Sequence, residues 1–159
     1  MDHLPNTPVI AAGGIADGKS LAAMLSLGAV GASIGSRFYA STESLADDKL
    51  KQKILESSGD DTVRTDVFDI IREISWPKEY SGRALKNAFT SKWHGNGAKL
   101  KRQLSQHQST FFTDQQSVNL DSAIIWAGEC IDSINDIQDA ESIVNNMITD
   151  AEHTLGSAI

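Results

Sequence analysis

The sequence has almost no cysteine: Cys130 is the only one in 159 residues. A lone thiol excludes an intrachain disulfide and a cysteine-rich metal site, and it fits a reducing compartment. Basic residues are also scarce, 14 against 21 acidic ones, for a net charge of -7. A general nucleic-acid binder needs a clustered basic surface to neutralise phosphates. The densest basic stretch, Lys99-Leu100-Lys101-Arg102, is short and sits in polar sequence, which suits a solvated helix face. No apolar run approaches the roughly 20 residues that cross a bilayer. Met1 to Asn6 has neither a basic start nor an apolar core, so it does not read as a secretory signal. The expectation is an intracellular, cytoplasmic protein that engages neither nucleic acid nor membrane. Asp60-Asp61 reads as a solvated loop, not a metal site, and Cys130 as a small packing residue.

What is present is a folding pattern. A chain of 159 residues with 40% hydrophobic content can form one domain with a core. Val9-Ile10-Ala11-Ala12 reads as a strand covered on both faces, with Pro8 tolerated at its start. Gly18 to Leu27 predicts a helix with Leu21, Met24 and Leu25 on one face. Asp17 is its N-cap and Gly28 its left-handed terminator. Gly31 to Gly35 reads as a second short strand, with Ser36-Arg37-Phe38 at its C-terminal end. Residues 8 to 35 therefore predict a parallel strand–helix–strand unit with a right-handed crossover.

Further on, Ser41 or Thr42 caps a helix carrying Leu45, Leu50, Ile54 and Leu55, ended by Gly59-Asp60-Asp61. Thr62 to Ile74 suits strand or helix, and Trp76-Pro77 breaks it. Ser81 to Trp93 predicts a helix. Residues 94 to 119 are polar, glutamine-rich and irregular. Leu120 to Trp126 is apolar and leads into Ala127-Gly128-Glu129. Ile137, Ala140, Ile143, Val144, Met147, Ile148, Ala151 and Leu155 form a helical stripe.

The two strand ends carry the chemistry. Gly13-Gly14 follows the first strand and Gly35-Ser36 the second, and a parallel pair puts both ends on one edge. Glycines there let backbone N–H groups approach an anion with no Cβ in the way. A following helix N-terminus adds free donors and a favourable dipole, and Ser36 adds a hydroxyl. One phosphate could sit between the loops, as it does after strands seven and eight of a (β/α)8 barrel. The same glycines also suit plain tight turns.

The stretch "PVIAAGGIADGKSLAAMLSLGAVGASIGSRFYASTES", 37 positions, closely resembles the nitronate monooxygenases, formerly 2-nitropropane dioxygenases. It also resembles their relatives, the FMN-dependent enoyl-ACP reductases. "TVRTDVFDIIREISWPKEYSGRALKNAF" and "IIWAGECIDSINDI" are similar to the C-terminal region of fungal-type members. The likeness weakens over residues 94 to 119. The resemblance implies an α/β fold: the last two βα units of an FMN-binding (β/α)8 TIM barrel over residues 1–60, then a mostly helical C-terminal region of the same domain over 61–159. It implies FMN as cofactor, with phosphate contacts at Gly13, Gly14, Gly35 and Ser36. Ser36 stands where threonine is usual and keeps the hydroxyl. The implied activity is oxidative denitrification of a nitronate or nitroalkane with O2. An enoyl-ACP reductase relative and a non-catalytic flavin- or phosphate-binding remnant are the alternatives.

The resemblance also implies that six barrel strands belong before Pro8, along with an Ala-Gly-Gly-His segment carrying the catalytic base. No match to that segment exists here. The chain is therefore expected to be inactive alone and to need the N-terminal barrel half. His3, His94, His107 and His153 read as surface or loop residues, and no catalytic or metal-ligating residue is assigned. Arg37 could neutralise phosphate or serve as a structural ion-pair partner. Glu129 could approach the active-site region or simply turn the chain beside a buried tryptophan.

Overall fold

The computed structural model describes residues 6–157; His3 lies outside them. Strand β1 (Ile10–Ala12) pairs in parallel with β2 (Gly31–Ser33), aligning Ile10 with Gly31, Ala11 with Ala32 and Ala12 with Ser33. A parallel pair needs a crossover, and helix α1 (Gly18–Ser26) supplies it. Asp17 caps α1 and Gly28 follows it at φ +97°, as the sequence predicts. A single four-residue turn, α2 (Ser36–Tyr39), follows β2.

Helix α3 (Asp48–Leu55) begins later than expected. Its cap is Asp47, whose carboxylate accepts from the Lys49 N–H at 2.9 Å. Ser41 is buried, donates to the Phe38 carbonyl, and bridges to Gln138. Its hydroxyl is thus committed elsewhere, and Leu45 lies fully exposed before the helix.

The stretch from Thr62 is both strand and helix: β3 (Thr62–Thr65), then α4 (Val67–Ile71). The predicted helix from Ser81 is corrected. Gly82–Leu85 forms β4, antiparallel to β3, with Thr62 opposite Leu85 and Thr65 opposite Gly82. Only Ala88–Trp93 is helical, as α5. Asn87 fixes that start by accepting from the Thr90 N–H at 2.9 Å. The expected irregularity of 94 to 119 is corrected too: α6 (Gly97–Arg102) and α7 (Leu104–Gln116) lie there. Buried Leu100 and Phe111 suffice to hold these polar helices down. On α6, Lys99, Lys101 and Arg102 are exposed, as a solvated face requires.

The last helix, α8 (Ala140–Gly156), buries Ile143, Met147 and Ala151 but leaves Val144, Ile148 and Leu155 largely exposed. It packs on α1 at very close range. A Cβ on Gly18 would lie 2.3 Å from Cβ of Asp150 and 2.7 Å from the Met147 carbonyl. Ala11, Ala32, Leu21, Met24 and Phe38 join Ile143 and Met147 in this core.

A second core surrounds Phe68, whose ring meets Phe89 at 5.7 Å, Trp126 at 5.8 Å and Phe111 at 6.4 Å. Among the described residues the strands form two separate two-stranded sheets and close no barrel. No helix among them is long and apolar enough to cross a membrane.

Candidate anion site at the strand ends

The two glycine turns lie directly beyond the paired strands. Gly13 and Gly14 take φ +88° and +75°, a region that strains any residue with a Cβ. A Cβ added at Gly13, Gly14 or Gly35 would meet nothing within 4 Å. The space over both turns is therefore open and would be narrowed by any other residue. Ser36 is the first residue of α2, so its N–H has no intrahelical acceptor. Its Oγ accepts from the Gly128 N–H at 2.9 Å, which leaves its own proton available to an incoming acceptor.

Helix dipoles contribute less than the sequence suggests. The N-terminus of α1 is already taken by Asp17, whose Oδ1 accepts from both N–H and Oγ of Ser20 at 2.7 Å. Burial pushes the Asp17 carboxyl up, but hydrogen bonds from Ser20 and Ser133 and the charge of Lys19 hold it below its ordinary value. The turn α2 is only four residues long, so few peptide dipoles add there. The donors on offer to an anion are loop amides and the Ser36 hydroxyl.

A cavity of about 300 Å³ opens beside Gly35 and Ser36, lined also by Tyr39, Arg83, Trp126, Ala127 and Gly128. Gly13 and Gly14 sit at the neighbouring strand end and do not line it. Tyr39, Arg83, Trp126 and Gly128 were not legible as site residues. Tyr39 ends the turn that Ser36 begins, whereas Arg83, Trp126 and Gly128 lie on segments remote in sequence, brought in by the β3–β4 pairing and the Ala84–Trp126 bridge. Burial raises the Tyr39 phenol, which keeps it neutral.

The other candidates fall elsewhere. Arg37 is 6% exposed, pairs with Asp136, and donates to the Asp136 and Ala40 carbonyls; the ion-pair reading is the one realised. Glu129 is exposed, its Oε1 3.3 Å from Nη1 of Arg83. Cys130 packs against the core around Ile131. Asp61 accepts from N–H and Oγ of Ser58, and no group of three or more potential metal ligands occurs among the described residues. His94 Nδ1 lies 3.2 Å from Thr65 Oγ1, His107 stacks edge-on to Trp93, and His153 is exposed on α8. None of these three lines the cavity.

The sequence model of the nitronate monooxygenase family matches residues 2–150. The nitronate monooxygenase npaC of Metarhizium robertsii is 30% identical over 158 residues, covering 96% of this chain and 43% of that protein. The structure of FabK from Thermotoga maritima superposes with a TM-score of 0.75 at 27% identity, over 96% of this chain and 47% of that one. The crystal structure of nitroalkane oxidase from Streptomyces ansochromogenes superposes with a TM-score of 0.79 over 99% of this chain and 43% of that chain. At 23% identity it speaks to the fold alone. The chain thus spans under half the length of these relatives, aligned along nearly its whole extent. With the family model matched across residues 2–150, the chain belongs to the nitronate monooxygenase family.

Proposed function

We propose that this chain holds the flavin phosphate of an FMN-dependent nitronate monooxygenase, which oxidatively denitrifies nitronates or nitroalkanes with O2. The observation that carries the reading is the juxtaposition of Gly13-Gly14 and Gly35-Ser36 on the ends of one parallel pair, with open space above them. The family is FMN-dependent, and the site fits a phosphate: open glycine turns, a free helical N–H and a hydroxyl with its proton to spare. In this reading Gly13, Gly14, Gly35 and Ser36 orient the phosphate by N–H and O–H donation. FMN, when bound, supplies the electron acceptor that nitronate oxidation needs. None of the described histidines reaches the cavity, so no residue here is assigned proton abstraction.

The bare face of the parallel pair belongs to the same reading. Ile10 is 57% exposed, and Ala12 and Ser33 on the same face are exposed as well. Further barrel strands, such as the N-terminal half of a full-length relative, would cover that face. The chain by itself then turns over no nitronate. Oxygen uptake with an alkyl nitronate tests this on the chain alone and on the chain co-expressed with the N-terminal part of the Metarhizium robertsii relative. The expected result is no uptake alone and uptake by a flavin-coloured complex. Turnover by the chain alone would sink the shared-site reading. NAD(P)H-dependent enoyl reduction by the complex, without nitronate-dependent uptake, would select the enoyl-ACP reductase alternative. Flavin binding with neither activity would select the non-catalytic one.

A further inference from the structure

We propose that Arg83 is the cation that binds the phosphate held at Gly35-Ser36. The inference rests on the FMN reading above. A phosphate brings formal negative charge, whereas amides and a hydroxyl offer only dipoles; a guanidinium supplies charge and a two-pronged donor edge. Arg37, the nearest arginine in sequence, is buried and committed to Asp136. Arg83 is the one cation among the residues lining the cavity that Gly35 and Ser36 open onto.

Its guanidinium is held at one nitrogen. Nη1 donates to Thr62 Oγ1 at 3.0 Å, and the Thr62 hydroxyl donates onward to the Gly59 carbonyl at 2.7 Å. Nη1 also lies 3.3 Å from Glu129 Oε1, whose side chain is 69% exposed. Among the described residues no hydrogen bond or ion pair engages Nη2 or Nε. Those two nitrogens form the fork that chelates an oxyanion.

One segment ties this arginine to the serine. The Ala127 N–H donates to the Arg83 carbonyl at 3.2 Å, and the next N–H, of Gly128, donates to Ser36 Oγ at 2.9 Å. Trp126 seats the strand beside them: a Cβ on Gly82 would lie 2.3 Å from its ring. Two consecutive amides thus set the guanidinium strand and the hydroxyl in one frame, although 47 positions separate Ser36 from Arg83.

The test compares FMN with riboflavin, which lacks the phosphate, in fluorescence titrations of the complex with the N-terminal part of the Metarhizium robertsii relative, carrying the wild-type chain, R83Q, R83K or E129Q. The wild-type chain is expected to prefer FMN. R83Q is expected to lower FMN affinity about ten- to hundredfold, the worth of one charged hydrogen bond, and to leave riboflavin affinity unchanged. E129Q, which frees Nη1, is expected to raise FMN affinity about two- to threefold. An FMN preference kept in R83Q overturns the role of Arg83 and spares the FMN reading. Equal loss of both flavins in R83Q marks a merely structural arginine and also overturns it. No FMN preference in the wild type overturns the FMN reading itself, and the inference with it. If R83Q does not fold, R83K decides: a reduced FMN preference supports the assignment, and an unchanged one overturns it.

Discussion

The two sheets of this protein solve opposite problems. The parallel pair β1–β2 has three residues per strand, small side chains and one bare face. Its ends carry the glycine turns. The antiparallel pair β3–β4 has four residues per strand and is closed over by Phe68, Trp93, Phe111 and half-buried Trp126. The first sheet offers surface; the second supplies core. The C-terminal half also reaches back to organise the first, through α8 on α1 and through Gly128 on Ser36. Backbone that must stay accessible to a ligand contributes little to its own stability, so stability has to come from elsewhere in the chain.

Truncating the aromatic core should do the most damage to this fold. Phe68→Ala deletes the centre of the cluster, a fully buried ring, and is expected to cost about 3–5 kcal/mol. Urea unfolding read by tryptophan fluorescence measures the loss. Hydrogen exchange at Ala11 and Ala32 then asks whether the parallel pair opens with the antiparallel one. Protection retained there would mean that the two sheets are independent units.

Gly18→Ala acts on the other side of the comparison. The added methyl meets Asp150 Cβ and the α8 backbone at under 3 Å, and backbone cannot step aside as a flexible side chain can. Overpacking of this kind costs about 1–3 kcal/mol. The expected outcome is loss of exchange protection in α1 and α8 while the aromatic core keeps its unfolding signal. Equal weakening of both regions would show that α8 is not a separate buttress.

These two sites also show what the sequence can and cannot reveal. The parallel unit was legible because its signals are local: an apolar run, the Asp17 cap, and glycines at both strand ends. The antiparallel pair was not. Ser81 to Trp93 contains Ala84, Leu85, Ala88 and Phe89 at helical spacing, yet Ala84 and Leu85 lie in a strand, paired with Val63 and Thr62 across the intervening α4. Only the pairing with β3 decides between the two periods. The glutamine-rich helices were missed because Leu100 and Phe111 give too thin a stripe for periodicity to register. In the site, the glycines and Ser36 announce themselves, whereas Arg83 is ordinary until Ala127 and Gly128 place it beside Ser36.

The smallest effect concerns the Asp17 cap beside the first glycine turn. Asp17 closes α1 through Ser20, and its carboxyl is held below its ordinary value because Ser20, Ser133 and Lys19 outweigh the opposing push of burial. A carboxylate with a depressed folded value stabilises the fold above its unfolded pKa of about 3.9, and that contribution fades as pH falls through the lower folded value. Asparagine caps equally well and does not titrate, so Asp17→Asn separates charge from hydrogen bonding. Thermal midpoints between pH 6 and pH 2.5 should show wild type ahead of D17N at the top of the range, converging as pH drops below about 4. Asp17→Ala should sit about 1 kcal/mol below wild type at neutral pH. A constant gap between wild type and D17N across that range would mean that the carboxylate's charge is irrelevant to α1.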